Sequence, residues 1–102
     1  MSDIKILEQR ALEVRRRYDQ LNRKNGGQPW DAKKLANGFK KDVADLIEIV
    51  QSRALDQKKL NHELADCLWS VLVIARKMDV DIERAFWTAM LDLDNRLDGE
   101  LK

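Results

Sequence analysis

Hydrophobic residues recur along the chain at steps of three and four positions. In the first segment they occupy Ile4, Leu7, Ala11, Val14, Tyr18 and Leu21. In the second they occupy Leu35, Phe39, Val43, Leu46, Ile47 and Val50. This spacing puts them on one side of an α-helix. The pattern therefore predicts helix one over about residues 3–25 and helix two over about residues 32–53.

The second half of the chain carries two more helical patterns. Leu64 to Ala75 is apolar almost all round, which predicts a third helix over about residues 57–78, buried against several neighbours. A fourth helix, over about residues 81–98, is predicted from an apolar stripe at Ile82, Phe86, Met90, Leu93 and Leu97.

Short polar residues mark where these helices begin. Asp31, Asp56 and Asp81 precede helices two, three and four, and an aspartate at this position accepts a hydrogen bond from a free amide of the first turn. Asn37-Gly38 is a local conflict, because Asn-Gly between apolar residues is typical of a hairpin. The pattern favours a continuous helix two and also allows one that begins after Gly38. Gly38 further marks a point where another helix or a ligand approaches closely.

The length and turn content of the chain define its fold class. One hundred and two residues make one modest domain, and one proline with four glycines supply too few turns for an antiparallel β domain. We therefore expect a single all-α domain over residues 1–102, folded as a four-helix up-and-down bundle.

Charge and cysteine content restrict the classes of partner. Nineteen basic and 18 acidic residues give a net charge of +1, which predicts neither a nucleic-acid nor a membrane partner. Two interpretations fit the basic residues of helix one, among them Arg15: they contact phosphates, or they form a solvated face paired with nearby acids. The solvated face is the favoured interpretation. A lone Cys67 in an apolar run, with no signal-peptide stretch at the start, indicates a cytoplasmic protein.

Two pairs of carboxylates stand out from this pattern. Asp42 and Asp45 lie on the flank of helix two, and Glu63 and Asp66 repeat the three-residue spacing on helix three. Converging carboxylates suit Mg²⁺ or Mn²⁺, which prefer oxygen ligands. The alternative is that these acids form ordinary salt bridges with cations such as Lys40, Lys41, Arg76 and Lys77. Periodicity alone does not decide between the two interpretations.

The acidic segments resemble a known family. Asp42-Val-Ala-Asp45-Leu-Ile-Glu48, followed by His62-Glu63-Leu-Ala-Asp66-Cys-Leu-Trp69, is similar to the ExxE and ExxD motifs of the MazG-like nucleoside triphosphate pyrophosphohydrolases. Pro29-Trp30-Asp31 and the turn Met78 to Glu83 extend the resemblance, which covers roughly residues 29–96.

The resemblance implies an all-α, Mg²⁺-dependent enzyme, with Mn²⁺ as an alternative ion. Such an enzyme cleaves a (d)NTP to the (d)NMP and pyrophosphate, often as a house-cleaning activity on the nucleotide pool. It also implies a homodimer or homotetramer whose nucleotide site is built across subunits. The metal ligands would be Asp42, Asp45, Glu63 and Asp66, with Asp42 or Glu63 orienting the attacking water.

The chain departs from the family pattern at two places. Asp42 and Asp45 replace glutamates, so the metal would sit closer to helix two, bind through water or bind poorly. The last helix lacks the usual Lys or Asn near the phosphates, and Arg96 is one of its polar substitutes.

Three other residues are candidates for contact with the substrate. Trp30 offers an indole face on which a base can stack, Lys41 a charge for a phosphate, and Ser70 a hydroxyl one turn after Asp66. His62, beside Glu63, is either exposed polar surface or a proton carrier.

Two other functions are compatible with the same residues. The first is a nucleotide-binding or sensing bundle with little turnover, a consequence of the shorter aspartates. The second is a helical interaction module that uses helix one to recruit a partner.

Overall fold

The computed structural model describes residues 3–102, which form four α-helices and no strand. These helices are α1 (Asp3–Lys24), α2 (Ala32–Val50), α3 (Gln57–Lys77) and α4 (Ile82–Glu100). The predicted all-α, four-helix fold is confirmed. Residues 1 and 2 of the predicted domain lie outside the described residues. Helix two ends earlier than predicted, because Gln51 caps it by donating its backbone N–H to Ile47.

Three of the helices begin at the aspartates that the sequence pattern predicts as caps. Asp31 accepts a hydrogen bond from the backbone N–H of Lys34 at 2.9 Å. Asp56 and Asp81 accept equivalent bonds from the third residue after each of them, at 3.1 Å in both cases. Each carboxylate satisfies an amide that the helix itself leaves free.

Helix α2 runs without a break through Gly38, so the alternative of a later start is wrong. The aromatic ring of Trp30, in the loop before α2, lies against this glycine. A Cβ atom at Gly38 would stand 3.0 Å from Cζ3 of Trp30, which is closer than ordinary van der Waals contact. Gly38 therefore marks a close approach, but the group that approaches it is the Trp30 side chain of the preceding loop and not the helix or ligand that was predicted.

Helix α3 lies at the centre of the packed part of the molecule, with α2 and α1 against it. The buried core joins all three helices through Ala11, Leu35, Leu72 and Val73. The indole N–H of Trp69 donates to the backbone carbonyl of Ala11 at 3.0 Å, which ties α3 to α1. The consequence is a three-helix platform that fixes the faces of α2 and α3 relative to each other.

Helix α4 is attached to this platform mainly at its beginning. Ile82 packs against the core, but no residue of α4 is fully buried. Phe86, Trp87 and Leu91 are each more than half exposed. The radius of gyration is 16.7 Å, against about 13 Å expected for a compact chain of this length.

The predicted burial of α3 holds for only part of its length. Leu72 and Val73 are buried, whereas Leu64 and Leu68 are about half exposed. Within residues 3–102, none of the helices has the length and hydropathy that a membrane span requires.

Candidate active site

The candidate site lies between α2 and α3, where the two acidic pairs face each other. The six-residue connector between these helices makes them antiparallel neighbours, so the middle of α2 lies opposite the middle of α3. One hydrogen bond joins the two helices in this region: the Ser70 hydroxyl donates to Oδ2 of Asp42 at 2.7 Å. Ser70 therefore contacts a predicted metal ligand from the opposite helix.

The thiol of Cys67 lies within electrostatic range of the four predicted carboxylates. Burial raises the pKa of this thiol, and the negative charges of Asp42, Glu63, Asp66 and Asp45 raise it further. A charge affects a pKa in this way only from nearby, because solvent screens distant ones. Carboxylates from both α2 and α3 therefore lie near the Cys67 thiol.

Part of this acidic group is already arranged as a set of metal ligands. His62, Glu63 and Asp66 each offer one ligand atom, and these atoms lie within 4.8 Å of one another. His62 Nε2 is 3.1 Å from Oδ2 of Asp66. Asp42 and Asp45 do not belong to this tight group. The potential ligands on α3 are thus close enough together to share one ion, whereas Asp42 and Asp45 on α2 lie outside this group.

The salt-bridge interpretation of the four acids finds no support in the structure. In the described part of the chain, Lys40, Lys41, Arg76 and Lys77 form no ion pair with these carboxylates. His62 is the one basic side chain within salt-bridge distance of these acids in residues 3–102, and it pairs with Asp66. An oxygen-rich, net negative donor set of this kind fits a hard divalent cation.

An aromatic cleft of about 290 Å³ adjoins the acids. Trp30, Tyr18 and Trp69 contribute its rings, and the rings of Tyr18 and Trp69 lie 5.7 Å apart. Asp42 and Ser70 also line it, so the cleft reaches the acidic group. A cleft lined by aromatic rings, with one carboxylate in its wall, suits a ligand with an aromatic base and a phosphate chain.

Helix α1 contributes to this cleft in a way the sequence analysis does not anticipate. Arg15 was expected on a solvated face and paired with an acid. The pairing is present, with Asp19 at 3.0 Å, but the solvated face is wrong, because the Arg15 side chain is only 11% exposed. Its guanidinium lies over the ring of Trp30, at 4.8 Å from the centroid. Asn22 lines the same cleft. The four-residue spacing of Arg15 and Asp19 predicts an ion pair on one helix. It does not predict burial, because exposed ion pairs have the same spacing.

The predicted site residues lie in three different parts of the structure. Trp30, Lys41, Asp42 and Ser70 line the aromatic cleft. Asp45, Glu63 and Asp66 act on the Cys67 thiol together with Asp42. Arg96 is exposed on α4 and does not line the cleft.

Comparison with known families gives one match. A family model described as the MazG nucleotide pyrophosphohydrolase domain matches residues 32–98, about two-thirds of the chain. The matched segment contains both acidic pairs and ends within α4. Comparison with curated proteins and with solved structures finds no match.

Proposed function

The chain belongs to the MazG nucleotide pyrophosphohydrolase family, and we propose that it is a Mg²⁺-dependent nucleoside triphosphate pyrophosphohydrolase. It converts a (d)NTP and water to the (d)NMP and pyrophosphate, as a cytoplasmic house-cleaning activity on the nucleotide pool. Mn²⁺ is an alternative ion, because it shares the preference for oxygen ligands.

One observation carries this proposal: a close group of potential ligands on α3 (His62, Glu63 and Asp66) and Asp42 on α2 lie beside an aromatic cleft of about 290 Å³, which Asp42 itself lines. The carboxylates supply the ligands for an ion, and the cleft supplies an apolar surface for the base. Asp42 lines the cleft and also acts on the thiol, so the two parts meet at this residue.

The residues that would hold the ion are Asp42, Asp45, Glu63 and Asp66. When bound there, Mg²⁺ neutralises phosphate charge and makes the α-phosphorus more electrophilic. Ser70 holds one oxygen of Asp42 by its 2.7 Å hydrogen bond, which leaves the other oxygen free to face the ligand.

The chemical step is an attack of water on the α-phosphorus. Asp42 or Glu63 orients the water and accepts its proton as the new oxygen–phosphorus bond forms. The bond between the α-phosphorus and the bridging oxygen breaks, and pyrophosphate leaves with that oxygen.

Contacts to the rest of the nucleotide come from the cleft. Trp30 provides a ring for the base, and Lys41, exposed at the rim, provides a positive charge for a phosphate. Ser70 stands between the two parts of the site. We propose these three residues as the substrate-binding residues of this chain.

Self-association as a homodimer or homotetramer is part of the proposal. A cleft of about 580 Å³ lies between the start of α1, α3 and α4, lined by apolar residues that include Leu68, Phe86 and Trp87. A contiguous apolar surface of this kind is typical of an interface. In such an assembly Arg96, exposed on α4, would reach the phosphates of a neighbouring protomer's substrate.

Sedimentation equilibrium tests the assembly. The wild-type chain is expected to sediment as a dimer or tetramer, and Trp87→Lys as a smaller species, because a charge in an apolar interface is costly. A wild-type monomer at micromolar concentration would contradict this part of the proposal.

Pyrophosphate release tests the activity itself. The chain is incubated with each ribo- and deoxyribonucleoside triphosphate and Mg²⁺, and phosphate is measured with and without added inorganic pyrophosphatase. Phosphate that appears only with the pyrophosphatase establishes cleavage between the α and β phosphates. If no nucleoside triphosphate yields pyrophosphate with either Mg²⁺ or Mn²⁺, the proposed activity is contradicted.

A nucleotide-binding bundle with little turnover is the second candidate. It is favoured by the separation of Asp42 and Asp45 from the tight group on α3. This candidate predicts Mg²⁺-dependent binding of nucleoside triphosphates in calorimetry, with no pyrophosphate formed.

A further inference from the structure

Arg15 is a largely enclosed charged side chain of the aromatic cleft, with 11% of the side chain exposed. Its guanidinium carbon lies 4.8, 5.7 and 5.9 Å from the ring centroids of Trp30, Tyr18 and Trp69. A guanidinium among three rings is held by cation–π attraction as well as by packing. Its position is therefore restricted before any ligand arrives.

A carboxylate on the same helix fixes the orientation of this guanidinium. Nε and Nη2 of Arg15 both donate to Oδ1 of Asp19, at 3.2 and 3.0 Å. The same Oδ1 accepts the backbone N–H of Trp30 at 3.3 Å. Asp19 thus holds Arg15 and the Trp30 loop as one unit.

The bonds to Asp19 leave one edge of the guanidinium available. Arginine has five N–H donors and no acceptor, so the Nη1 group and the second N–H of Nη2 remain. Among residues 3–102, no fully buried side-chain nitrogen or oxygen lacks a hydrogen-bond partner. The remaining donors are therefore exposed to solvent, and Arg15 is one of the residues that line the cleft.

Two parallel donors recognise two adjacent acceptors. Guanine presents O6 beside N7, a common partner of arginine, and cytosine presents O2 beside N3. Adenine has an amino group beside each of its acceptors N1 and N7, so one donor would face another donor. A volume of about 290 Å³ is at the lower end for ligand pockets, which suits a base alone.

We propose that Arg15 selects the base of the substrate, favouring guanine or cytosine over adenine. This inference rests on the proposed function, because the base is taken to belong to the nucleotide that is cleaved. Arg15 recognises the base and takes no part in the chemical step. It lies in α1, outside the segment that matches the family.

The first test compares kcat/KM for dGTP, dCTP and dATP in the wild type and in two variants. A bidentate contact is worth about 1–3 kcal/mol of discrimination. We therefore expect dGTP or dCTP to exceed dATP by at least about fivefold. Arg15→Lys keeps the positive charge but loses the two parallel N–H donors of the guanidinium. The preference of this variant for dGTP or dCTP over dATP should fall to about twofold or less. Arg15→Gln should favour dATP, because an amide pairs with the N6 and N7 edge of adenine.

Arg16→Lys and Arg17→Gln are the matched controls, since both arginines are exposed neighbours on α1. They should keep the wild-type order of bases. Thermal unfolding of all variants separates a lost preference from a lost fold. Equal kcat/KM for the three nucleotides, or an unchanged order in both folded Arg15 variants, would overturn the inference while leaving the activity intact.

A second measurement is independent of the chemistry. Calorimetry without metal, with dGMP, dCMP and dAMP as the probes, should give the same order of affinities even if no triphosphate is cleaved. If the monophosphates bind in this order and no triphosphate is cleaved, the proposed activity is wrong and the base selection by Arg15 is supported. Failure of all three monophosphates to bind at millimolar concentration would overturn the base selection.

Discussion

The acidic group between α2 and α3 and the aromatic cleft beside it are built in opposite ways. In the cleft, charge and hydrogen bonds are matched: Asp19 neutralises Arg15, and the Trp69 indole donates to a backbone carbonyl. In the acidic group, His62 pairs with Asp66 alone, and only part of the group is within coordinating distance. The cleft is preorganised, whereas Asp42, Asp45 and Glu63 form no ion pair within residues 3–102.

This difference shows where a ligand would change the molecule. A base can enter the cleft with little rearrangement, because its walls are already held by contacts within the chain. The acids would gain most from a cation, which supplies the missing charge and draws the α2 and α3 carboxylates together. We therefore expect base binding and metal binding to respond separately to substitution.

The largest effect is expected where a metal ligand loses its charge. Asp66→Asn should lower kcat/KM by at least about a hundredfold, more than the loss of an outer hydrogen-bond partner typically costs. Metal-free binding of a nucleoside monophosphate should remain unchanged, because the cleft is intact. Asp98→Asn, near the exposed end of α4, is the control. A wild-type rate in Asp66→Asn would show that the acids are not the site of chemistry.

A smaller effect is expected at the hydroxyl that joins the two regions. Ser70→Ala removes the 2.7 Å bond to Asp42 and should weaken Mg²⁺ binding about tenfold, because a ligand loses the partner that orients it. Calorimetric titration with Mg²⁺ measures this, and Ser70→Thr should restore the affinity. Ser52→Ala, which removes a hydroxyl bonded to the Ile49 carbonyl, is the control. Equal affinity in Ser70→Ala and Ser52→Ala would contradict the role given to Ser70.

A substitution at Gly38 should affect the cleft alone. The new methyl of Gly38→Ala would press on the ring of Trp30. A loss of about 0.5–1 kcal/mol in base binding corresponds to a rise in KM of about two- to fivefold, with kcat unchanged. Gly99→Ala is the control, because nothing lies within 4 Å of its Cβ. An unchanged KM in Gly38→Ala would indicate that Trp30 does not contact the base.

The smallest effect concerns the reactivity of Cys67. Its pKa is raised, so at a given alkaline pH it has less thiolate and reacts with iodoacetamide more slowly than in the unfolded chain. Mg²⁺ should neutralise the neighbouring carboxylates and lower this pKa, which raises the rate by up to about threefold. NaCl of equal ionic strength controls for screening. A rate that Mg²⁺ leaves unchanged would contradict an ion site beside the thiol.

The sequence predicted what depends on local spacing. The period of the apolar residues located four helices, and the aspartate caps Asp31, Asp56 and Asp81 marked their starts. The two acidic pairs were also visible, because three-residue spacing on a helix determines which side chains are neighbours. Their opposition across two helices follows once both helices are assigned.

Features that depend on distant parts of the chain were not predicted. The burial of Arg15 requires rings from α1, the Trp30 loop and α3 to meet, and no local pattern contains that information. The exposure of α4 was missed for a related reason. A periodic apolar stripe indicates that a helix buries one face, but it does not say against which chain.

The position of α1 has an evolutionary consequence. Helices α2 and α3, which carry the acids, lie inside the family segment, whereas α1 precedes it and supplies Arg15 and Tyr18 to the cleft. In the proposed enzyme, the residues of α1 that line the cleft can therefore change without altering the hydrolytic groups. A lineage can acquire a new nucleotide preference by varying α1 while inheriting the chemistry unchanged.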